Sequence, residues 1–392
     1  MNNNKVVIVG ARRTPIGSFQ GQFAGVPADE LGAVAIRGAI EQAGLDPAVV
    51  NDVLMGCVLP AGVGQAPARL ASRKAGIPTS AGAVTINKAC GSAMKAIQIG
   101  HDQIVAGSTD IVVAGGMENM TRAPYLLQKA RGGYRMGHGE VLDHMLTDGL
   151  QDPDDGLMMG VYGERCAEKY QFSRAQQDAF STASIERALH AIETEFKAEI
   201  TPVTVKSRRG ETVVDTDQEP PSCNLEKIPT LRAAFKKDGT VTAASSSKIS
   251  DGAAATVMMS AQKAAGLGIT PLATIVAHAT FSQDPEWFTT APIGGIERVL
   301  EKAGWRLDEV DLFEVNEAFA VVTMAAMQTH NIDHSRMNVN GGACALGHPI
   351  GASGARILVT LINALQQRGL KKGVAALCIG GGEATAVAIE LP

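Results

Sequence analysis

The chain has 392 residues, enough for two or three domains with substantial cores. Its 35 basic and 40 acidic residues leave a net charge of −5 without a dense basic run, which argues against electrostatic capture of nucleic acid and confines any site for a phosphorylated ligand to a local patch. Hydrophobic residues make up 45% but aromatic ones only 4%, with Ala, Val, Ile and Gly filling the difference, a composition that predicts an α/β protein.

The six cysteines, Cys57, Cys90, Cys166, Cys223, Cys344 and Cys378, form no short-spaced disulfide framework, which fits a reducing compartment. The N-terminus, Met-Asn-Asn-Asn-Lys and then the short apolar run Val6–Val9, has neither a signal-peptide core nor an Arg-rich presequence. No apolar run approaches membrane-spanning length. A cytoplasmic protein without membrane association is expected.

In chain order, Lys5–Gly10 reads as a buried strand, and Ala28–Ala43 has helical periodicity closed by Gly44. A strand over Val53–Val58 follows. Val84-Thr85-Ile86-Asn87 then precedes a Gly/Ala-rich helix that leads to the strand Ile111–Gly116. Residues 119–250 are more polar and are punctuated by Gly132, Gly133, Pro153, Pro202, Pro220 and Pro221, the pattern of an inserted lobe. Within them, Ser173–Ala191 predicts a helix with Ser173 as N-cap and an apolar stripe through Ala179, Ala183 and Leu189. Asp251–Met259 returns to a strand pattern assigned to the first half, so that domain is expected to be discontinuous.

The same order then recurs. Strand Ala273–Ala277, helix Gly295–Ala303 closed by Gly304, and strand Leu312–Val315 come first; Met337-Asn338-Val339-Asn340 precedes a second Gly/Ala-rich helix, and strand Val374–Gly382 ends the series. Ala39–Gly44 matches Val299–Gly304 at a constant offset of 260, which predicts two duplicated α/β halves. The expected domains are 1–118 with 251–270, then 119–250, then 271–392.

Four segments carry candidate chemistry. At Ile86-Asn87-Lys88-Ala89-Cys90-Gly91-Ser92 a strand ends, a tight turn follows and a helix begins at or just after Cys90. The free amides and positive dipole end of a helix start favour a thiolate and are expected to lower the thiol pKa. The alternative is a small buried hydrophobe, the usual role of a free cysteine. Between Asn338 and Arg356, five glycines surround His348, whose backbone Pro349 fixes; this suits a positioned base, or else a histidine hydrogen-bonded in a turn. Cys378 precedes Gly380, Gly381 and Gly382 at a strand end, where ligands of α/β sheets gather and where the Gly380 N–H is placed to meet an oxyanion. Taken alone, Cys378 reads as packing. Glu314, Asn316 and Glu317 interrupt an apolar stretch at a strand-to-helix junction, so Asn316 is either an N-cap or a donor to a water or oxyanion. The glycine runs miss the dinucleotide and Walker A spacings and no Cys-x-x-Cys pair occurs, so neither a nucleotide cofactor nor a metal is expected.

Together these segments resemble the thiolase family over essentially the whole chain. INKACGSAMKAI (Ile86–Ile97), NEAF (Asn316–Phe319), NGGACALGHPIGASGAR (Asn340–Arg356) and CIGGG (Cys378–Gly382) match the family's blocks in order and spacing. The resemblance implies two similar βαβαβαββ halves stacked as α-β-α-β-α layers, with an inserted loop domain that grips coenzyme A. It implies ping-pong acetyl transfer: His348 takes the proton of Cys90, whose thiolate forms an acyl-enzyme, and Cys378 moves the α-proton of a second acetyl-CoA. His348 with an Asn316-bound water then serves the enolate, and the N–H groups of Cys90 and Gly380 serve the tetrahedral adduct. Acetyl-CoA, acetoacetyl-CoA and CoA are the implied partners, with no metal or redox cofactor and with assembly as a homodimer or homotetramer. The alternatives are a β-ketoacyl synthase, a 3-ketoacyl-CoA thiolase of broader chain length in fatty-acid degradation, and a non-catalytic redox sensor pairing Cys90 with Cys378.

Residues 131–160 look most like the acetoacetyl-CoA branch of the family. That likeness implies Leu150, Met159, Ser247, Phe288, Ala318 and Phe319 as substrate-binding residues. Two departures bear on acyl preference: Met158 stands where that branch usually has His, and Phe288 replaces a pocket methionine, so its ring is expected to narrow or reshape the pocket. In the coenzyme A loop, Ala244-Ser245-Ser246-Ser247-Lys248 replaces a common G-N-A-S-G. Ser247 stays available to pantetheine, while Lys248 either offsets a basic residue missing near Pro220 or is a solvated surface lysine.

Overall fold

The computed structural model describes residues 5–208 and 210–392. Met1–Asn4, where the reading of the N-terminus begins, and Arg209 lie outside the described residues. The first half runs β1 (Val6–Arg13), α1 (Ala28–Gln42), β2 (Asp52–Gly56), α2 (Pro67–Lys74), β3 (Gly82–Ile86), α3 (Ser92–Val105) and β4 (Ile111–Asn119). Helices α4 (Met159–Tyr170) and α5 (Arg174–Glu193) follow, then a hairpin of Val203–Ser207 with Gly210–Val214, then β5 (Ser250–Ser260). The second half runs β6 (Ala273–Ser282), α6 (Ala291–Ala303), β7 (Leu312–Val315), α7 (Ala320–His330), α8 (Ser353–Arg368), β8 (Lys372–Ile379) and β9 (Glu383–Glu390).

These strands lie in one sheet in the order β7-β8-β9-β6-β1-β5-β4-β2-β3. The pattern is the same on each side of the antiparallel β1–β6 contact. β2 runs parallel to β4 as β7 does to β8, and the last strand of each half returns antiparallel beside its first. An irregularity between Ile8 and Gly10 of β1 recurs between Ile275 and Ala277 of β6, a constant offset of 267. Past α1 and α6, Gly44 and Gly304 both take the left-handed conformation, at the offset of 260 read from the sequence. Strand order and backbone irregularities thus repeat together, as duplication requires.

One strand is not repeated. Met337–Asn340, matched in sequence to the β3 segment, makes only a bridge from Met337 to Phe313. Asn338 stands at φ +46, and its side chain takes the place of a strand backbone: Oδ1 accepts from Val315 N at 2.9 Å and Nδ2 donates to Val315 O at 2.8 Å.

Alternation along the strands sorts side chains to two faces. Val7, Val9, Val113 and Val257 pack with residues of α1 and α2. Ile8, Val112, Met258, Leu377 and Val387 pack with α3 and α8 in the middle. Val374, Ala376 and Ala388 pack with α6 and α7. The layers are therefore α-β-α-β-α. Every residue from Ser353 to Leu365 is buried, as a helix at the centre of five layers must be. Burial of each of its leucines contributes about 1.5–3 kcal/mol. β5 pairs with both β1 and β4, so chain beyond the inserted lobe completes the first half-sheet.

Three local expectations need correction. β2 stops at Gly56, not Val58, because the Val58 and Leu59 amides leave the ladder to bond Glu118. α6 starts at Ala291, before Gly295, with Pro292 in its first turn where no N–H is needed. α5 has the expected Ser173 cap, completed as a capping box by Gln176, but the stripe is misplaced. Ala179 is exposed, and the buried face includes Gln177 and Ser184, which bond Thr240 at 2.8 Å and Glu317 at 2.7 Å. The buried face is mixed, with Phe180, Ile185, Ala188 and Ala191 beside these polar groups.

Candidate active site

Cys90 sits in the turn between β3 and α3, one residue before the N-cap Gly91. Asn87 Oδ1 accepts from Ala89 N at 3.0 Å, and Ala89 stands at φ +42. Ser92 Oγ accepts from Lys88 N at 2.8 Å and donates to Ala89 O at 2.6 Å. A Cβ on Gly91 would lie 2.3 Å from Ile379 Cδ1, so the glycine lets the Ile379 side chain at the end of β8 pack against the turn. The turn is fixed on both sides, and Cys90 packs against Val58, Leu59, Met120, Met145 and Ile350. Burial pushes the thiol up to about 11, against the backbone N–H groups of Gly380 and of Cys90 itself, which favour the anion; the Glu118 carboxylate adds to the rise. The expected acidification is thus overturned, because desolvation outweighs the donors. At neutral pH Cys90 rests as a thiol.

His348 is buried, with its N–H on Lys248 O at 3.0 Å. Nδ1 lies 2.5 Å from Ser353 Oγ, and that hydroxyl donates to Pro349 O at 3.0 Å. A hydroxyl has one proton to give, so Ser353 accepts from Nδ1–H and Nε2 carries the lone pair as an acceptor, a tautomer assigned from this network. Nε2 faces Asn316 Nδ2 at 3.5 Å. Burial, and secondarily the Arg356 guanidinium, pushes the imidazole down to about 3, so the ring is neutral as a base must be.

Asn316 is fully buried just past β7, with its N–H on Ala376 O at 3.0 Å. α7 begins only at Ala320 with Phe319 at its N-cap, which excludes the capping role for Asn316. Arg356 Nη2 donates to Asn316 Oδ1 at 3.5 Å, turning the amide nitrogen toward His348. Arg356 also lies 3.6 Å from Glu314, whose carboxyl burial pushes up to about 8 despite that cation. Glu317 is spent on structure: it accepts from Ser184 Oγ, Asn338 Nδ2 and Cys344 N.

Cys378 is buried near the end of β8, and burial followed by the neighbouring Cys90 raises its thiol well above the usual range. Beyond it Gly381 and Gly382 take φ values of +90 and +88, which turn the chain into β9 and leave the Gly380 amide directed at Cys90.

Leu150, Met159, Ser247, Phe319 and His348 line one cavity, together with Met120, Met158, Phe235, Lys248, Ile249 and Ile350. Ala318 supports this wall through its carbonyl, which accepts from Ser247 N at 3.0 Å. Met159 Sδ would lie 3.4 Å from a Cβ on Gly380, which sets the cavity against the turn between β8 and β9. Lys248 belongs to the wall, its ammonium donating to Ala243 O. Phe288 does not line the cavity. It packs edge-on against Tyr162, 5.8 Å between ring centroids, within the core beneath α6, so the expected direct narrowing of the pocket is not what its ring does.

The sequence reading passed over Glu118, Ser353, Arg356 and Phe235. Glu118 had the signal that revealed Asn316, a polar residue in a buried strand. Among the described residues, one histidine and carboxylate cluster has metal-like spacing, His101, Asp102 and His278, and both imidazoles already share Asp102 Oδ1 at 3.0 and 2.9 Å. His330 and His334 are four apart but diverge. The first bonds Ile293 O at 3.2 Å and the second stacks on Phe180.

Comparison with known proteins bears on this geometry. The model of the thiolase N-terminal domain matches residues 6–262, and that of the thiolase C-terminal domain matches residues 269–391. An acetyl-CoA acetyltransferase of Pseudomonas aeruginosa is 49% identical over 387 residues, 98% of each chain. One of Schizosaccharomyces pombe is 47% identical over 393 residues, the whole of both chains. The crystal structure of the Bacillus anthracis acetyl-CoA acetyltransferase superposes with a TM-score of 0.97 at 40% identity, covering 99% of each chain.

Proposed function

The chain belongs to the thiolase family, and from that premise we propose that it is an acetyl-CoA C-acetyltransferase. Two acetyl-CoA condense to acetoacetyl-CoA and CoA, or thiolysis runs in reverse, through an acyl-enzyme. The observations that support the residue roles best are a thiol approached by two backbone N–H donors and a buried histidine whose tautomer leaves the lone pair on Nε2.

Because Cys90 rests as a thiol and His348 as a neutral ring, the proton moves only when substrate arrives. His348 Nε2 takes it as Cys90 Sγ attacks the thioester carbonyl. The N–H groups of Cys90 and Gly380 hold the oxyanion of the adduct, and its collapse expels CoA and leaves the acetyl group on Cys90. The released CoA thiolate takes the thiol proton of Cys378. The Cys378 thiolate so formed takes the α-proton of a second acetyl-CoA, whose enolate oxygen is held by the protonated His348 and an Asn316-bound water. The enolate carbon attacks the acetyl group, and Cys90 leaves as a thiolate that His348 reprotonates. The burial that raises the Cys378 thiol makes its thiolate the stronger base. This chemistry calls for no metal or redox cofactor.

Leu150, Met158, Met159 and Phe319 form an apolar wall suited to a short acyl group, with Ser247 and Lys248 at the coenzyme A side. A broader 3-ketoacyl range is the second reading, favoured by Phe288 lying outside that wall. We propose a cytoplasmic homodimer or homotetramer. All six cysteines are free, and β3 is a sheet edge with Val84 half exposed, which pairing with another copy would cover. Assay of acetoacetyl-CoA against longer and 2-methyl-branched 3-ketoacyl-CoA tests the specificity. The highest kcat/KM is expected for acetoacetyl-CoA, and a preference for longer chains would replace this reading with the second.

A further inference from the structure

The turn after His348 is plugged into the other half of the molecule at a single carboxylate. Glu118, in β4, is fully buried. Its Oε2 accepts from Val58 N and from Gly351 N, both at 2.9 Å, and its Oε1 accepts from Leu59 N at 3.1 Å and from Cys57 Sγ at 3.7 Å. Three of these donors belong to the first half, in the loop that packs on Cys90; the fourth belongs to the second half, three residues past His348.

Close approach makes this junction specific. A Cβ on Gly351 would lie 2.5 Å from Glu118 Oε2, and one on Gly116 would lie 1.9 Å from Gly351 O. From Gly351 back to His348 the chain is one braced turn: Ala352 N, Ser353 N and Ser353 Oγ all donate to Pro349 O, at 2.8, 3.0 and 3.0 Å. A displacement at Gly351 therefore reaches the imidazole without slack.

We propose that Glu118 is a positioning residue: its carboxylate registers the turn that carries His348 against the half that carries Cys90, so its loss slows turnover without weakening substrate binding. A buried acid is costly, and burial pushes this carboxyl up to about 7 against the Val58, Leu59 and Gly351 amides that favour its charge. Few other groups accept from four converging donors, because an amide in its place has one accepting oxygen and turns two donors of its own on Leu59 N and Cys57.

The test is steady-state kinetics of E118Q and, as a second perturbation of the same contact, G351A. Rates are normalised to the folded fraction of each preparation, measured by circular dichroism, so that unfolded protein is not counted. Both variants are expected to lose kcat on the order of 10- to 100-fold, as displacements of this size near reacting groups do, with KM for acetyl-CoA within about twofold of wild type. E118D, which keeps the carboxylate, is expected to recover part of the loss. A merely structural carboxylate would lower yield and melting temperature but leave kcat per folded enzyme unchanged, and that result in either variant overturns the proposal. The inference rests on the proposed pairing of Cys90 with His348. The two failures are distinguishable: a wild type inactive on acetyl-CoA refutes the pairing, whereas an active wild type with an equally active E118Q refutes the role of Glu118.

Discussion

The turn that carries Cys90 and the turn that carries His348 occupy corresponding places in the two halves, each leading into a helix of the middle layer. Both helices begin on a serine whose hydroxyl donates back to a turn carbonyl, Ser92 to Ala89 O and Ser353 to Pro349 O. The difference lies in what each serine accepts. Ser92 takes a backbone amide, Lys88 N, and so holds only the shape of its turn; Ser353 takes Nδ1–H of His348 and so fixes a proton. At the offset of 260, Gly56 stands where Asn316 stands in the other half, and a Cβ on it would lie 2.5 Å from Gly351 O. One half gives space at that place and the other gives an amide. The two halves thus carry the same brace and differ in the side chains set on it.

Replacing the two serines sharpens this contrast. Ser353→Ala removes the acceptor for Nδ1–H and frees the tautomer. We expect kcat to fall on the order of 10- to 100-fold with little change in KM, measured by steady-state kinetics on acetoacetyl-CoA with CoA. Unchanged kcat would mean that the brace does not govern the proton. Ser92→Ala is the smaller change. It orphans the Lys88 amide and should cost about 1–3 kcal/mol of stability in denaturant unfolding, with kcat altered only a few-fold. Should Ser92→Ala slow turnover as much as Ser353→Ala does, the two braces have the same role and the contrast fails.

Much of the fold was legible because its signals are local. Buried strands alternate or run apolar, and Gly304 closes its helix in the left-handed conformation as its position after a periodic segment predicts. The missing second copy of β3 was not legible, since Met337–Asn340 has a strand's composition and only the Asn338 amide, folded back on Val315, displaces the ladder. In the site, Cys90, His348, Asn316 and Cys378 stand out as polar or reactive residues in glycine-rich or apolar settings. The state of the Cys90 thiol did not, because burial is a tertiary property and it outweighed the helix start that the sequence displayed. Phe288 misled for a related reason: an aligned position fixes its neighbours along the chain, whereas its contacts, the edge-on ring of Tyr162 in α4 among them, are set by the fold.

The proposed function divides the labour between Cys90, which would hold the acyl group, and Cys378, which would move the proton. The most direct test uses Cys378→Ala incubated with acetyl-CoA in deuterated buffer. The account predicts an intact mass raised by one acetyl group, mapped to the peptide containing Cys90, and no deuterium entering the methyl group of acetyl-CoA. Failure to acetylate Cys90, or deuterium exchange at the wild-type rate, would contradict it.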